Sequence, residues 1–247
     1  MNVLIRIELL KLRTVRSPWL LVSAAPLLVV AGISGLVMSD KKPLGPAEQS
    51  GALAHVGLAA LFMLLFGILA VAGEYRHRTI TDTCLSTPAR GRVVTAKIAL
   101  CAVLGALSGV LSGLVGVAVA AAWWADKGAS FAWGDSGMWT TVGGGIAENA
   151  AFAAIGVGVG ALIRSLVGAI AVALAWIALV EGIVGQLVGG LARWLPFNAG
   201  RALGAGAKAL AAGTQLLPRW GGGVVLAGYT LLFAAAAIAV SVRRDVS

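Results

Sequence analysis

Charge is scarce in this chain. Only 12% of its 247 residues are charged, 59% are hydrophobic, and the mean hydropathy is +0.93. A soluble domain of this length needs more polar surface, so the composition leaves a polytopic membrane protein. Cysteine is nearly absent. Cys84 falls in a polar stretch and Cys101 in an apolar run, a pair with neither metal-ligand spacing nor a shared aqueous face, so both are expected as free thiols. Catalytic signatures are missing too: the chain has no zinc-type histidine pair, no nucleophile elbow and no GxxxxGK[ST] phosphate cradle. No catalytic residue, metal site or cofactor site is therefore expected in this chain. His55, one of two histidines and the one inside an apolar run, reads as a hydrated or hydrogen-bonded side chain.

What is abundant is apolar sequence in long runs, with basic residues at the ends of those runs. The net charge of +9 would suggest nucleic acid in a soluble protein. Here it marks membrane orientation, and no nucleic-acid partner is expected. Six spans are predicted, at about 19–38, 53–72, 98–124, 146–163, 166–187 and 224–242. The first is too long for a signal peptide and has no small-residue cleavage site before Asp40. Ahead of it, residues 2–17 predict a short helix lying at the membrane surface. Residues 40–50 and 125–145 read as loops. Only Arg164 and Ser165 separate spans four and five, which predicts a tight hairpin. Residues 188–222 are too broken by Gly and Pro to span and too apolar to be a plain loop. Interfacial or re-entrant helices are expected there.

The stretch from Gly73 to Lys97, GEYRHRTITDTCLSTPARGRVVTAK, is long, polar and dense in positive charge. A loop that only reversed the chain would need far fewer residues, so this one is long enough to project a short helix outward. With both termini on its side, the proposed cytoplasmic parts hold twelve basic residues against seven outside. That places the termini and this loop in the cytoplasm. At its start Glu74 is placed to bond loop backbone or to pair with Arg76, Arg78 or Arg90.

Small residues recur four apart at Gly105, Gly109 and Gly113 in span three, and at Gly156 and Gly160 in span four. Such faces let backbones approach closely, and they are candidate surfaces for pairing of subunits or for packing inside one. Two acidic residues interrupt the apolar runs. Glu148 lies sixteen positions before Arg164 and Glu181 seventeen after it, so α-helical geometry lifts both to roughly 24 Å above the hairpin. One reading makes them a carboxylate pair for a cation, a cationic substrate or protons. The other satisfies each with Asn149, Gln186, Arg193 or water.

Four pieces of sequence carry a family resemblance: ELLKLR at Glu8 to Arg13, the whole Gly73 to Lys97 stretch, Leu195-Pro196, and RRD at Arg243 to Asp245. In this order they resemble the type-2 exporter permeases of ATP-binding-cassette transporters, the branch that includes bacitracin-permease-like subunits. The family's motif falls here on Glu74, Tyr75, Arg76, Thr79, Leu85, Pro88, Arg90, Ala96 and Lys97. A departure is His77-Arg78, where the family often has a glycine. The resemblance implies an all-α six-helix permease in a bacterial cell membrane. It also implies pairing with a second permease subunit, as homodimer or heterodimer, and a coupling loop at Glu74 to Lys97 resting on a separate ATPase subunit that binds ATP and Mg. The cargo would be a small amphipathic, antibiotic-like or lipid substrate, exported from the cytoplasm or inner leaflet. An ion-driven secondary transporter using Glu148 and Glu181, or a non-transporting membrane anchor or sensor, are the alternatives from other classes.

Overall fold

A computed structural model describes residues 2–15, 17–39, 45–76, 90–184, 187–205 and 216–243. Among these every regular element is helical. They are α1 (Asn2–Thr14), α2 (Ser17–Ser39), α3 (Pro46–Leu53), α4 (His55–Leu58), α5 (Ala60–Arg76), α6 (Arg90–Asp126), α7 (Ser136–Ile163) and α8 (Leu166–Ala175). After α8 come a π-helical stretch (Trp176–Val184), α9 (Gly189–Ala192), α10 (Pro196–Ala205) and α11 (Arg219–Arg243). Among the described residues six helical segments are long and apolar enough to cross a membrane. The third, α6, has 37 residues and at 1.5 Å per residue is far longer than the ~30 Å hydrocarbon layer.

Two expected loops are shorter than the sequence implied, and the last span starts earlier. Residues 46–50 are helical rather than loop. Pro46 suits the first helical turn because its missing N–H is not needed there, and Glu48 accepts the Gly45 N–H at 3.2 Å. The helix that follows is interrupted only at Ala54 and Ala59 and runs on to Arg76. The region 125–145 is likewise half helix. Asp135 caps α7 by accepting the N–H groups of Gly137 at 2.9 Å and Met138 at 3.2 Å, so α7 starts ten residues before the apolar run at Ile146. The last span begins at Arg219 rather than at residue 224.

The hairpin at Arg164-Ser165 is as tight as expected. Arg164 adopts a left-handed conformation, with φ 57°, and closes α7, while the Ser165 hydroxyl accepts the Gly168 N–H and opens α8. The fifth span departs from regular α-helix at Trp176, where the chain becomes π-helical.

The core is organised around α7, which packs most extensively on α5 and α6 and also touches α10 and α11. Glycine makes those contacts close. A methyl on Gly156 would sit 2.2 Å from the Leu64 carbonyl oxygen, and one on Gly160 2.9 Å from that of Ile68. The glycines of α6 do the same: Gly105 faces Asn149 O at 2.6 Å, and Gly109 and Gly113 face Ile146 and Val142 at 2.9 Å. Both small-residue faces are therefore occupied inside the chain, on α5 and α7. As candidate subunit interfaces they are corrected to internal packing surfaces, because a second backbone cannot enter where one already lies.

Candidate functional site

The residues singled out in the sequence gather at two places. One lies where α1, the end of α5 and the start of α6 converge. Each of those segments carries charge, at Glu8 and Lys11, at Glu74, and at Lys97. Lys97 Nζ donates to Glu74 Oε1 at 2.8 Å, to Glu8 Oε2 and to the Ala70 carbonyl. Lys11 Nζ donates to Glu8 Oε1 and Glu74 Oε1, each at 2.9 Å. Lys97 and Glu8 are buried, at 3% and 5% exposure, so the two carboxylates and two ammonium groups neutralise one another where water cannot. Burial opposes the charge on the Lys11 ammonium, but the hydrogen bonds it donates to Glu74 and then Glu8, with the charges of both carboxylates, outweigh it and hold the group above its ordinary 10.5.

This arrangement gives Glu74 partners that the sequence did not suggest, while Arg78, the side chain of Arg90 and the loop backbone beyond Arg76 lie outside the described residues. The partners are Lys11 and Lys97, 63 and 23 positions away, whereas Arg76 is exposed. The reason is tertiary: α1 folds back over the roots of the polar stretch and brings a lysine that local spacing cannot reveal. Arg164 joins this end of the bundle, with its guanidinium 5.5 Å from the ring centre of Tyr75. Thr79, Leu85 and Pro88 lie outside the described residues, as do Arg78, Cys84 and the side chain of Arg90. Cys101, on α6, is a buried free thiol.

The second place surrounds Glu148. Because α7 begins at Ser136, this residue lies near the middle of its helix rather than at the end, as the expected start at Ile146 implied. It is 1% exposed, and its Oε1 has no hydrogen-bond partner among the described residues. Two glycines make room for the carboxylate. A methyl on Gly57 of α4 would meet Oε2 at 2.4 Å, and one on Gly200 of α10 would meet Oε1 at 2.5 Å. Glu148 and Arg201 line a cavity of about 160 Å³ together with His55 and Thr141. A second cavity of about 310 Å³, with Asp135 and Arg219 on its walls, shares Gly51, Ala54 and Thr141 with the first.

Glu181 is used differently. Its Oε1 accepts the Phe197 N–H at 2.8 Å and its Oε2 the Asn198 N–H at 3.1 Å, so the carboxylate holds the N-terminus of α10. The two acids are thus held differently, although Glu181 stands within electrostatic reach of Glu148. Asn149 and Arg193, two of the expected partners, are engaged elsewhere. Asn149 donates to Val56 O at 3.0 Å and Gly145 O at 2.7 Å, Arg193 lies over Trp194 at 5.7 Å, and Gln186 is outside the described residues.

Sequence reasoning missed Arg201, which stands within electrostatic reach of both Glu148 and Glu181. It also missed the two glycines that frame Glu148. Their signal was faint, since Gly57 and Gly200 sit in segments already rich in glycine. Among the described residues no cluster of His, Cys, Asp and Glu is arranged to hold a metal ion. No protein-family model matches the chain, and no match to a curated protein is found.

Proposed function

We propose that the chain is the membrane-spanning permease subunit of an ATP-binding-cassette exporter, paired with a second permease subunit and driven by separate ATPase subunits. The observation that supports this reading is the buried charge cluster at both roots of the polar stretch. Glu74 ends one root, Lys97 stands in the first turns of the other, and Glu8 with Lys11 ties both to α1. A segment held so firmly at its base passes a push into α5, α6 and α7 as a rigid-body movement. A freely hinged loop would absorb it. In this reading the cluster and both termini face the cytoplasm of a bacterial cell, where an ATPase has access to Thr79 and its neighbours.

Cysteine introduced at Thr79 should crosslink to a nucleotide-binding subunit that carries a phosphate cradle. Labelling of the same cysteine by a membrane-impermeant reagent outside intact cells would refute both the topology and the mechanism. A second reading, an ion-driven carrier, is favoured by one feature: the buried, partnerless Glu148 oxygen beside a cavity. Flux in reconstituted vesicles separates the two. Dependence on ATP and the partner subunit supports the exporter, and dependence on an imposed ion gradient alone supports the carrier.

A further inference from the structure

Glu148 and Arg201 line the same cavity and carry opposite charges, yet they make no ion pair with each other. Arg201 is exposed, while Glu148 is buried with an oxygen left partnerless among the described residues. Arg201 stands within electrostatic reach of Glu148 without bonding to it, so the buried carboxylate oxygen keeps no direct partner and the guanidinium stays free to take an anionic group. At about 160 Å³ the space is some tenfold larger than the ~10–15 Å³ that one water requires. Gly51, Gly57, Gly145 and Gly204 contribute no side chain to its walls, so the room is held open by backbone.

The charges also decide among ligands. An anion would meet the Glu148 carboxylate, and a bare cation would meet the Arg201 guanidinium. A hard metal ion needs several oxygen ligands, and Glu148 is the one carboxylate on these walls. We propose that the cavity binds a small zwitterion, its ammonium group on Glu148 and its anionic group on Arg201. The second cavity, which shares the wall residues Gly51, Ala54 and Thr141 with the first, lies on the approach in this proposal. Arg219 stands on its wall and donates to Thr141 at 3.4 Å, a second cation past which the anionic end travels. The site does not depend on how transport is driven, and it would hold in an exporter, a carrier or a sensor.

Two sources carry this chemistry, a free zwitterion and the headgroup of an amino-phospholipid. The test is isothermal titration of the purified chain with phosphoethanolamine and with β-alanine, using ethylamine and inorganic phosphate as singly functional controls. At least one zwitterion should bind the parent. Its affinity should be at least tenfold above that of either control, and it should fall at least tenfold in Glu148→Gln and in Arg201→Gln. Arg201 is exposed, so its substitution leaves the core intact and decides the matter if Glu148→Gln does not fold. Repeating the titration in nanodiscs identifies the source. Binding suppressed by phosphatidylethanolamine but not by phosphatidylglycerol assigns the site to the lipid headgroup, and equal binding in both assigns it to a free molecule. Absence of binding by both zwitterions, equal affinity in Arg201→Gln, or ethylamine binding as tightly as the zwitterions would overturn the proposal.

Discussion

The four charges around Lys97 and the single carboxylate of Glu148 are buried by the same bundle and treated in opposite ways. At the α1 end, two acids and two bases meet at hydrogen-bonding distance, and each ammonium reaches both carboxylates. Near the middle of α7, one acid has an oxygen without a partner among the described residues and a cavity in front of it. A cluster of paired charges fixes the positions of the helices that supply it, even with Glu74 Oε2 left without a partner among the described residues. An unsatisfied charge costs stability, and its location beside open space is what a ligand site looks like before the ligand arrives. Glu181 lies between these extremes, since its two hydrogen bonds go to the backbone of α10 and serve a local junction.

The widest separation should come from Lys97. Lys97→Met leaves Glu8 and Glu74 facing each other with only the half-exposed Lys11 between them, and should cost about 3–5 kcal/mol. Glu148→Gln keeps the shape and removes a poorly satisfied charge, so the ligand-free protein should be unchanged or more stable. Thermal unfolding of both variants in the same detergent reads the contrast. If Lys97→Met is silent or Glu148→Gln collapses the fold, the distinction between the two regions fails.

A smaller effect tests the intermediate case. Glu181→Ala strips the acceptor from the first N–H groups of α10 and should cost about 1 kcal/mol, with Glu181→Gln recovering part of it. Proteolytic protection of residues 196–205 checks this. A global loss as large as that of Lys97→Met would mean that Glu181 supports far more than one helix end.

The smallest effect concerns Lys11, whose side chain is 35% exposed. Because its ammonium is held above 10.5, its contribution is complete at pH values below 10.5 and disappears as pH rises through the raised value. The difference in unfolding temperature between the parent and Lys11→Met should therefore be constant from neutral pH to 10.5 and shrink above it. An unchanging difference at higher pH would show that Lys11 acts through packing of its stem and not through charge.

Hydrophobic run length, with basic residues at the run ends, was enough to locate six helices able to span a membrane and the two-residue turn at Arg164-Ser165. Those features depend on local composition and on which residues tolerate a turn, so they are written in the chain in order. Where α3 and α7 begin was legible in principle. Pro46 with Glu48 and Asp135 before Ser136 are start signals, overshadowed by the polarity of their surroundings. The same glycine spacing that announced close packing could not say against what, because a small face fits a neighbouring helix of its own chain or of another equally well. Only the tertiary structure assigned those faces to α5 and α7, brought Lys11 to Glu74 across 63 positions, and separated Glu148 from Glu181 into a cavity wall and a helix cap. Each of these depends on which helices lie side by side, and burial energy between packed helices, unlike helix formation, carries no local sequence period that names its partner.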